Sequence, residues 1–154
     1  EKLLADGAVR SIGVSNFLPE HLDRLIAASE IVPAVNQFEV HPTFQNREIA
    51  TATAKAGIAI EAYSPLGRGA DLEAESVVAI AARLGVSTGQ VVLRWHLQQG
   101  RIVIPKSANP ERIRANLAVT EFSLTDADLA AIDALEAGNR QASDPATADF
   151  TQYR

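Results

Sequence analysis

The sequence predicts an α/β fold of four strand–helix units with parallel strands, and three observations carry that expectation. Short apolar runs rich in β-branched residues recur at residues 9–14, 34–39, 58–63 and 102–104. Segments with helical apolar spacing lie between them, and such alternation implies right-handed crossovers and a parallel sheet buried on both faces. The positions at or just past the run ends are polar where a core would be apolar: Ser15-Asn16, Asn36-Gln37, Tyr63-Ser64 and Lys106-Ser107.

Taken in order, residues 1–7 read as the last turns of an amphipathic helix stopped by Gly7. Residues 18–29 form a helical pattern with Pro19-Glu20 in its first turn, and Asn46 is placed to cap a helix that runs to Gly57. Residues 73–84 carry apolar side chains at helical spacing. Ser87-Thr88-Gly89-Gln90 is a capping-box start for a helix through Gln98, and Thr125-Asp126-Ala127-Asp128 opens a short helix to Glu136. Residues 1–137 thus make up barrel-type units and a terminal helix. Beyond Gly138 the chain turns small and polar, with Pro145 and no periodicity, so 138–154 is expected to be an irregular tail.

The 154 residues are 47% hydrophobic and 21% charged, which excludes disordered and collagen-like classes and supports one sizeable core. A formal charge of -5 disfavours nucleic-acid binding, which needs a basic face to replace counterions. No apolar stretch approaches the roughly 20 residues that cross a bilayer, so no membrane partner and a cytoplasmic location are expected. Without cysteine there is no disulfide framework and no thiolate nucleophile or metal site. Methionine is absent too, at position 1 included, and the expectation is a piece of something longer.

Four βα units fit either an open doubly wound sheet or half of an eightfold barrel. The glycine fingerprint of dinucleotide-binding doubly wound domains is missing after every strand, so the last four units of a (β/α)8 TIM barrel fit better. A complete barrel takes about 250 residues and gathers its functional groups at the C-terminal strand ends. At the last of these ends, Ile102-Val103-Ile104 leads to Lys106 and Ser107, and Asn109-Pro110 opens a helix carrying Arg112 and Arg114. Helix N–H groups, the positive end of the macrodipole and three cations make this an expected phosphate site.

The chain resembles the aldo-keto reductases, NADP(H)-dependent barrel enzymes, from about Glu1 to about Glu136. The resemblance rests on Gly13-Val14-Ser15-Asn16-Phe17, on Val35-Asn36-Gln37-Phe38-Glu39-Val40-His41-Pro42, on Tyr63-Ser64-Pro65-Leu66-Gly67, and on Ile104-Pro105-Lys106-Ser107 with Arg112 and Asn116. The 35–45 segment and Trp95-His96-Leu97-Gln98 look most like the bacterial branch related to diketogluconate reductases. The resemblance implies NADP(H) as cofactor and a small aldehyde, ketone or keto-sugar as substrate.

It also implies roles. Ser15, Asn16 and Gln37 would hydrogen-bond the nicotinamide carboxamide, which offers two donors and an acceptor. Tyr63 would stack on the nicotinamide ring, and Ser64 and Leu66 would hold the pyrophosphate. Lys106, Ser107 and Arg112 would clamp the adenosine 2′-phosphate, and Asn116 would contact the adenine edge. In this family a tyrosine protonates the carbonyl oxygen, tuned by a lysine, an aspartate and a histidine from the first half of the barrel. None of the four is matched here: Tyr63 is the stacker and Tyr153 lies in the tail. A missing N-terminal half is therefore the expected partner, and this chain alone is expected to be inactive. The alternative is a non-catalytic nucleotide-binding half-barrel or a regulatory subunit.

Other residues have plainer readings. His41 follows a strand end and is expected to pack or hydrogen-bond at the strand mouth, while His21 and His96 sit in helical patterns as structural or solvent-facing groups. No His, Asp and Glu spacing suggests a metal site. Asn36 and Gln37, adjacent on a strand, must face opposite ways, and Glu61 is expected to face a barrel neighbour or structural partner. Arg94 and Trp95 are expected to pack the outer helix layer.

Overall fold

The computed structural model describes residues 1–147; residues 148–154, with Tyr153 and the end of the expected tail, lie outside the described residues. Its centre is a parallel sheet of β1 (Val14–Ser15), β2 (Val35–Glu39), β3 (Ala59–Tyr63) and β4 (Ile102–Val103), in the order β1-β2-β3-β4. Sequence order without a reversal is what successive right-handed βαβ crossovers produce, and it is the order of a barrel wall. The helices are α1 (Lys2–Ala5), α2 (Pro19–Ala28), α3 (Arg47–Lys55), α4 (Glu75–Leu84), α5 (Thr88–Gln98), α6 (Pro110–Leu117) and α7 (Asp126–Asp133).

The core lies between one face of the sheet and the helices. Phe38, Val40 and Ala62 from the strands pack with Val77, Ile80 and Ala81 of α4, Val91, Val92 and Trp95 of α5, and Ile132 of α7. Trp95 is fully buried, and its indole N–H donates to Asp133 at 2.8 Å, so the largest apolar side chain carries its polar atom to a partner. Arg94 spans from α5 to Val119 and Ser123. Both residues thus tie the outer layer together, as expected from their place on a half-buried helix. Both capping boxes form: Ser87 accepts from Gln90, and Thr125 accepts from Asp128.

The structure corrects several expectations. The sheet is not buried on both faces. Ser15, Gln37, Glu61 and Ile102 lie in register on the face away from the helices, and Ile102 is 45% exposed. In a closed barrel that face meets the opposite wall, which four strands cannot supply. The first run forms a ladder only at Val14–Ser15, although Ala34 N–H still donates to the Ile12 carbonyl. Here the strands approach so closely that a Cβ at Gly13 would sit 2.9 Å from the Val35 carbonyl oxygen.

Asn46 occupies the N-cap position of α3 but makes no cap bond. It adopts a left-handed backbone, φ 48°, and its amide instead donates to the Glu39 carbonyl at 2.7 Å. α4 starts at Glu75 because residues Gly67–Glu73 form a 3-10 segment broken by positive φ at Arg68 and Gly69. α7 stops at Asp133, and the Glu136 carboxylate accepts from the Gln45 N–H at 2.5 Å. The tail from 138 has no helix or strand among the described residues, as expected, yet it is tied down. Ala137 and Asn139 donate to the Thr43 carbonyl, and the Arg140 guanidinium lies 4.6 Å over the Phe44 ring. No single helix among the described residues is long and apolar enough to cross a membrane.

Two buried histidines are held in opposite protonation states. At His96 burial first, then the Arg101 charge, outweigh the hydrogen bond to the Pro65 carbonyl, 3.0 Å from Nε2, and the more distant Asp71 carboxylate, and pull the pKa down to about 3. His41 is also buried, which by itself lowers its pKa, but hydrogen bonds and charges from Asp71 and Glu39 outweigh burial and raise it. The unfolded chain binds a proton at His96 below about pH 6.5 that the folded chain refuses, so stability falls with acid there. Folded His41 keeps its proton above that pH, so its contribution is complete below the unfolded value and is lost as pH rises through the folded value.

Stability is therefore expected to fall on both sides of about pH 6.5, the acid limb by up to about 1.4 kcal/mol per pH unit. Urea-unfolding midpoints measured from pH 5 to 9 check this, and His41→Gln is expected to flatten the alkaline limb more than the acid limb, which burial of His96 maintains. The unpaired edges of β1 and β4, with Ile104 44% exposed beside the latter, are expected to drive concentration-dependent self-association of the isolated chain. Sedimentation velocity reads this directly, and a monodisperse, cooperatively unfolding monomer contradicts it.

Candidate functional site

Parallel strands in sequence order bring all four C-terminal ends to one edge, and the residues singled out above collect along it. Ser15 and Gln37 are register partners, and the Ser15 hydroxyl donates to the Gln37 carbonyl at 3.0 Å. Asn16 leaves β1 in the left-handed region, φ 58°, with its N–H on the same carbonyl at 2.8 Å and its side-chain amide on Ser15 Oγ at 3.2 Å. Gln37 Nε2 donates to the in-register Glu61 carboxylate. Asn36 points the other way, fully buried, and its amide donates to the Phe17 carbonyl and to Thr53. The alternation expected for 36 and 37 therefore holds, and so does a neighbouring-strand partner for Glu61.

Tyr63 ends β3 opposite Glu39. Burial first, and then the Glu39 carboxylate, push its phenol pKa up, while Arg140 and Arg68 pull the other way. The ring is thus a neutral phenol on the rim.

Beyond β3 and β4 lies a cleft of about 730 Å³. Ser64, Leu66, Lys106, Ser107, Arg112 and Asn116 all line it, so six of the ten expected site residues share one cavity. Ser15, Asn16, Gln37 and Tyr63 do not line this cavity. They occupy the neighbouring strand ends, with Tyr63 next in sequence to Ser64.

The electrostatics of the cleft are one-sided. Its walls carry the cations Arg68, Lys106 and Arg112 and no carboxylate, and none of the three forms an ion pair among the described residues. In a chain with a net charge of -5 this is an anion-attracting island.

Two parts of the expected phosphate site are corrected. The first N–H groups of α6 are not free: Asn109 accepts from Glu111 at 2.8 Å and from Arg112 at 3.2 Å, and Pro110 has none to offer. Anion attraction therefore rests on side chains rather than the helix terminus. Arg114 is not in the cleft wall, because two residues along a helix rotate about 200° and carry it away from the face of Arg112.

Sequence reading missed Arg68, whose placement depends on the left-handed turn at φ 53° before Gly69. A cation between two glycines, Gly67-Arg68-Gly69, is the signal that could have found it. It also underrated His41, which is fully buried between the carboxylates of Glu39 and Asp71. Glu39-x-His41 puts two polar side chains on one strand face, but nothing in the sequence links them to Asp71. Among the described residues no cluster of His, Asp and Glu could hold a metal ion.

The comparisons with known proteins agree with this architecture. The family model for the aldo/keto reductase family matches residues 1–137. An aldo-keto reductase of Mycobacterium sp. (strain KMS) is 51% identical over 97% of the chain and 54% of its own length. Morphine 6-dehydrogenase of Pseudomonas putida is 43% identical over 99% and 56%.

Among solved structures, Gox0644 without ligand superimposes with a TM-score of 0.94 at 46% identity, covering 97% of this chain and 55% of that one. A Gox0644 mutant in complex with NADPH gives 0.93 at the same identity and coverage. The chain spans about half the length of the curated relatives it matches. These neighbours identify the sheet as part of a (β/α)8 barrel, and by both the family match and the half-identical relatives the chain belongs to the aldo/keto reductase family.

Proposed function

We propose that this chain is the cofactor-binding half of an NADPH-dependent reductase that moves hydride between the nicotinamide and a small aldehyde, ketone or keto-sugar. The observation that carries the reading is the cleft with three cations that are unpaired, and no carboxylate, among the described residues, open beside a neutral tyrosine at the rim. The NADPH complex of the Gox0644 mutant supports the choice of nucleotide.

The donor set fits. Gln37 Oε1 and Asn16 Oδ1 make no hydrogen bond among the described residues, so acceptors remain for a carboxamide whose own oxygen the two side-chain amides can serve. Ser15 orients this pair through its hydroxyl. Tyr63 offers its ring face for stacking, worth about 1 kcal/mol beyond burial. Ser64 and Leu66 hold the pyrophosphate, Lys106, Ser107 and Arg112 take the 2′-phosphate, and Asn116 meets the adenine edge. When bound, the cofactor supplies the hydride.

Protonation of the carbonyl oxygen needs a further donor in this reading, which assigns Tyr63, the rim tyrosine among the described residues, to stacking. In the proposal the remaining four units of a complete barrel supply the tyrosine with its lysine, aspartate and histidine, and pair with the free edges of β1 and β4. Coverage of about half of each relative supports this division of labour.

The test is made on the complete barrel. Lys106→Ala with Arg112→Ala is expected to raise KM for NADPH tenfold or more, because charge-assisted bonds to phosphate are worth about 1.5–3 kcal/mol even before screening reduces them. KM for NADH is expected to stay within about threefold. Equal losses for the two nucleotides overturn the 2′-phosphate assignment, and absence of NADPH oxidation with any aldehyde or ketone overturns the reductase reading.

A further inference from the structure

Glu39, His41 and Asp71 form a buried row that joins three segments distant in sequence. His41 Nδ1 lies 2.6 Å from Asp71 Oδ2, and Nε2 lies 3.1 Å from Glu39 Oε1. A neutral imidazole has one N–H, so carboxylates on both ring nitrogens call for the doubly protonated form. Asp71 takes a second bond, from the Thr43 hydroxyl at 2.7 Å. Glu39 takes its others from the tail: the Gln141 N–H at 2.6 Å on Oε1 and the Ala142 N–H at 3.1 Å on Oε2. Glu39 is satisfied only when the tail is docked, and Asp71 only when its own segment is docked on His41 and Thr43.

The Asp71 end reaches the cleft. Asp71 belongs to the segment Gly67–Glu73, and Leu66, Arg68, Gly69 and Leu72 around it are cleft wall. Contact is tight: a Cβ on Gly67 would stand 2.7 Å from the Asp71 carboxyl carbon and 3.0 Å from His41 Nδ1. The remaining charged or titratable neighbours are Tyr63 on β3, Arg140 on the tail, Arg68 on the cleft segment and His96 on α5. Tyr63 feels Glu39, Arg140 and Arg68, and His96 feels His41 and Asp71.

We propose that His41 is a positioning residue that couples the docked tail at 139–142 to the cleft wall at 66–72, so that tail contacts set how firmly the cleft grips a phosphate-bearing nucleotide. Loss of the Asp71 bond frees the His41 ring to shift, and with it the Glu39 carboxylate that the ring holds beneath the tail amides. Loss of Glu39 runs the same chain in reverse. The statement about grip rests on the proposed cofactor reading; the coupling itself does not.

Amide hydrogen exchange at pH 7, without nucleotide, tests the coupling. Asp71→Asn is expected to speed exchange at Gln141 and Ala142 at least fivefold, and Glu39→Gln is expected to do the same within 67–73. Variants that each loosen only their own segment overturn the proposal. Should either variant unfold, Thr43→Val removes the hydroxyl that bonds Asp71 and lies 3.4 Å from His41 Nδ1 while keeping the Thr43 carbonyl that holds Asn139, and faster exchange at Gln141 and Ala142 with Asn139 unchanged is required.

In the complete barrel, Asp71→Asn is expected to raise KM for NADPH at least threefold with kcat within twofold. An unchanged KM overturns the claim about grip. Failure of the Lys106 and Arg112 test would instead remove the cofactor reading and leave the exchange result to decide the coupling.

Discussion

Parallel pairing in chain order is the constraint from which the rest follows. A parallel strand must return to the same end of the sheet before it pairs again, so every strand finishes on one edge and every loop that leaves a strand end starts there. Side chains far apart in sequence, such as Ser15 and Lys106, therefore share a rim through successive strand pairings, with no direct contact between them needed. Helices α4, α5 and α7 cover one sheet face with an apolar core, and the in-register row Ser15, Gln37, Glu61 and Ile102 is left on the other.

The rim has two electrostatic regimes, and they differ in how charge is compensated. At the end of β2, charges are buried and matched: two carboxylates flank one imidazolium, and tail amides and a threonine hydroxyl supply the remaining donors. Such a cluster is tolerable in a low-dielectric interior only when nearly every hydrogen-bonding position is filled. Past β3 and β4, Lys106, Arg68 and Arg112 are exposed and form no ion pair among the described residues. Water solvates them at little cost, and their charge is available to a phosphate. Rigidity and anion attraction thus sit side by side, joined at the segment Gly67–Glu73.

Local chemistry made much of this readable in advance. The capping boxes at Ser87 and Thr125, the stop at Gly7 and the alternation at Asn36 and Gln37 depend on neighbours a few residues away, and all appear as expected. The misses are places where a distant partner overrides a local preference. Asn46 gives up its cap bond for the Glu39 carbonyl, and the run at 9–13 stays outside the ladder where Gly13 meets Val35. The N–H groups expected to face an anion are taken by Asn109, a competition that the Asn-Pro start already contained.

What the sequence determined by itself is the alternation of strands and helices, the polar character of each strand end and, through four motifs in order, membership of the family. The first two rest on periodicity and residue chemistry, which are local, and the third on the resemblance of those motifs to a known family. Only the tertiary structure decided that Arg68 joins Lys106 and Arg112 while Arg114 does not, and that His41 is wedged between Glu39 and Asp71. Both outcomes depend on backbone turns and packing that bring residues together across the fold, and no spacing along the chain encodes such a meeting.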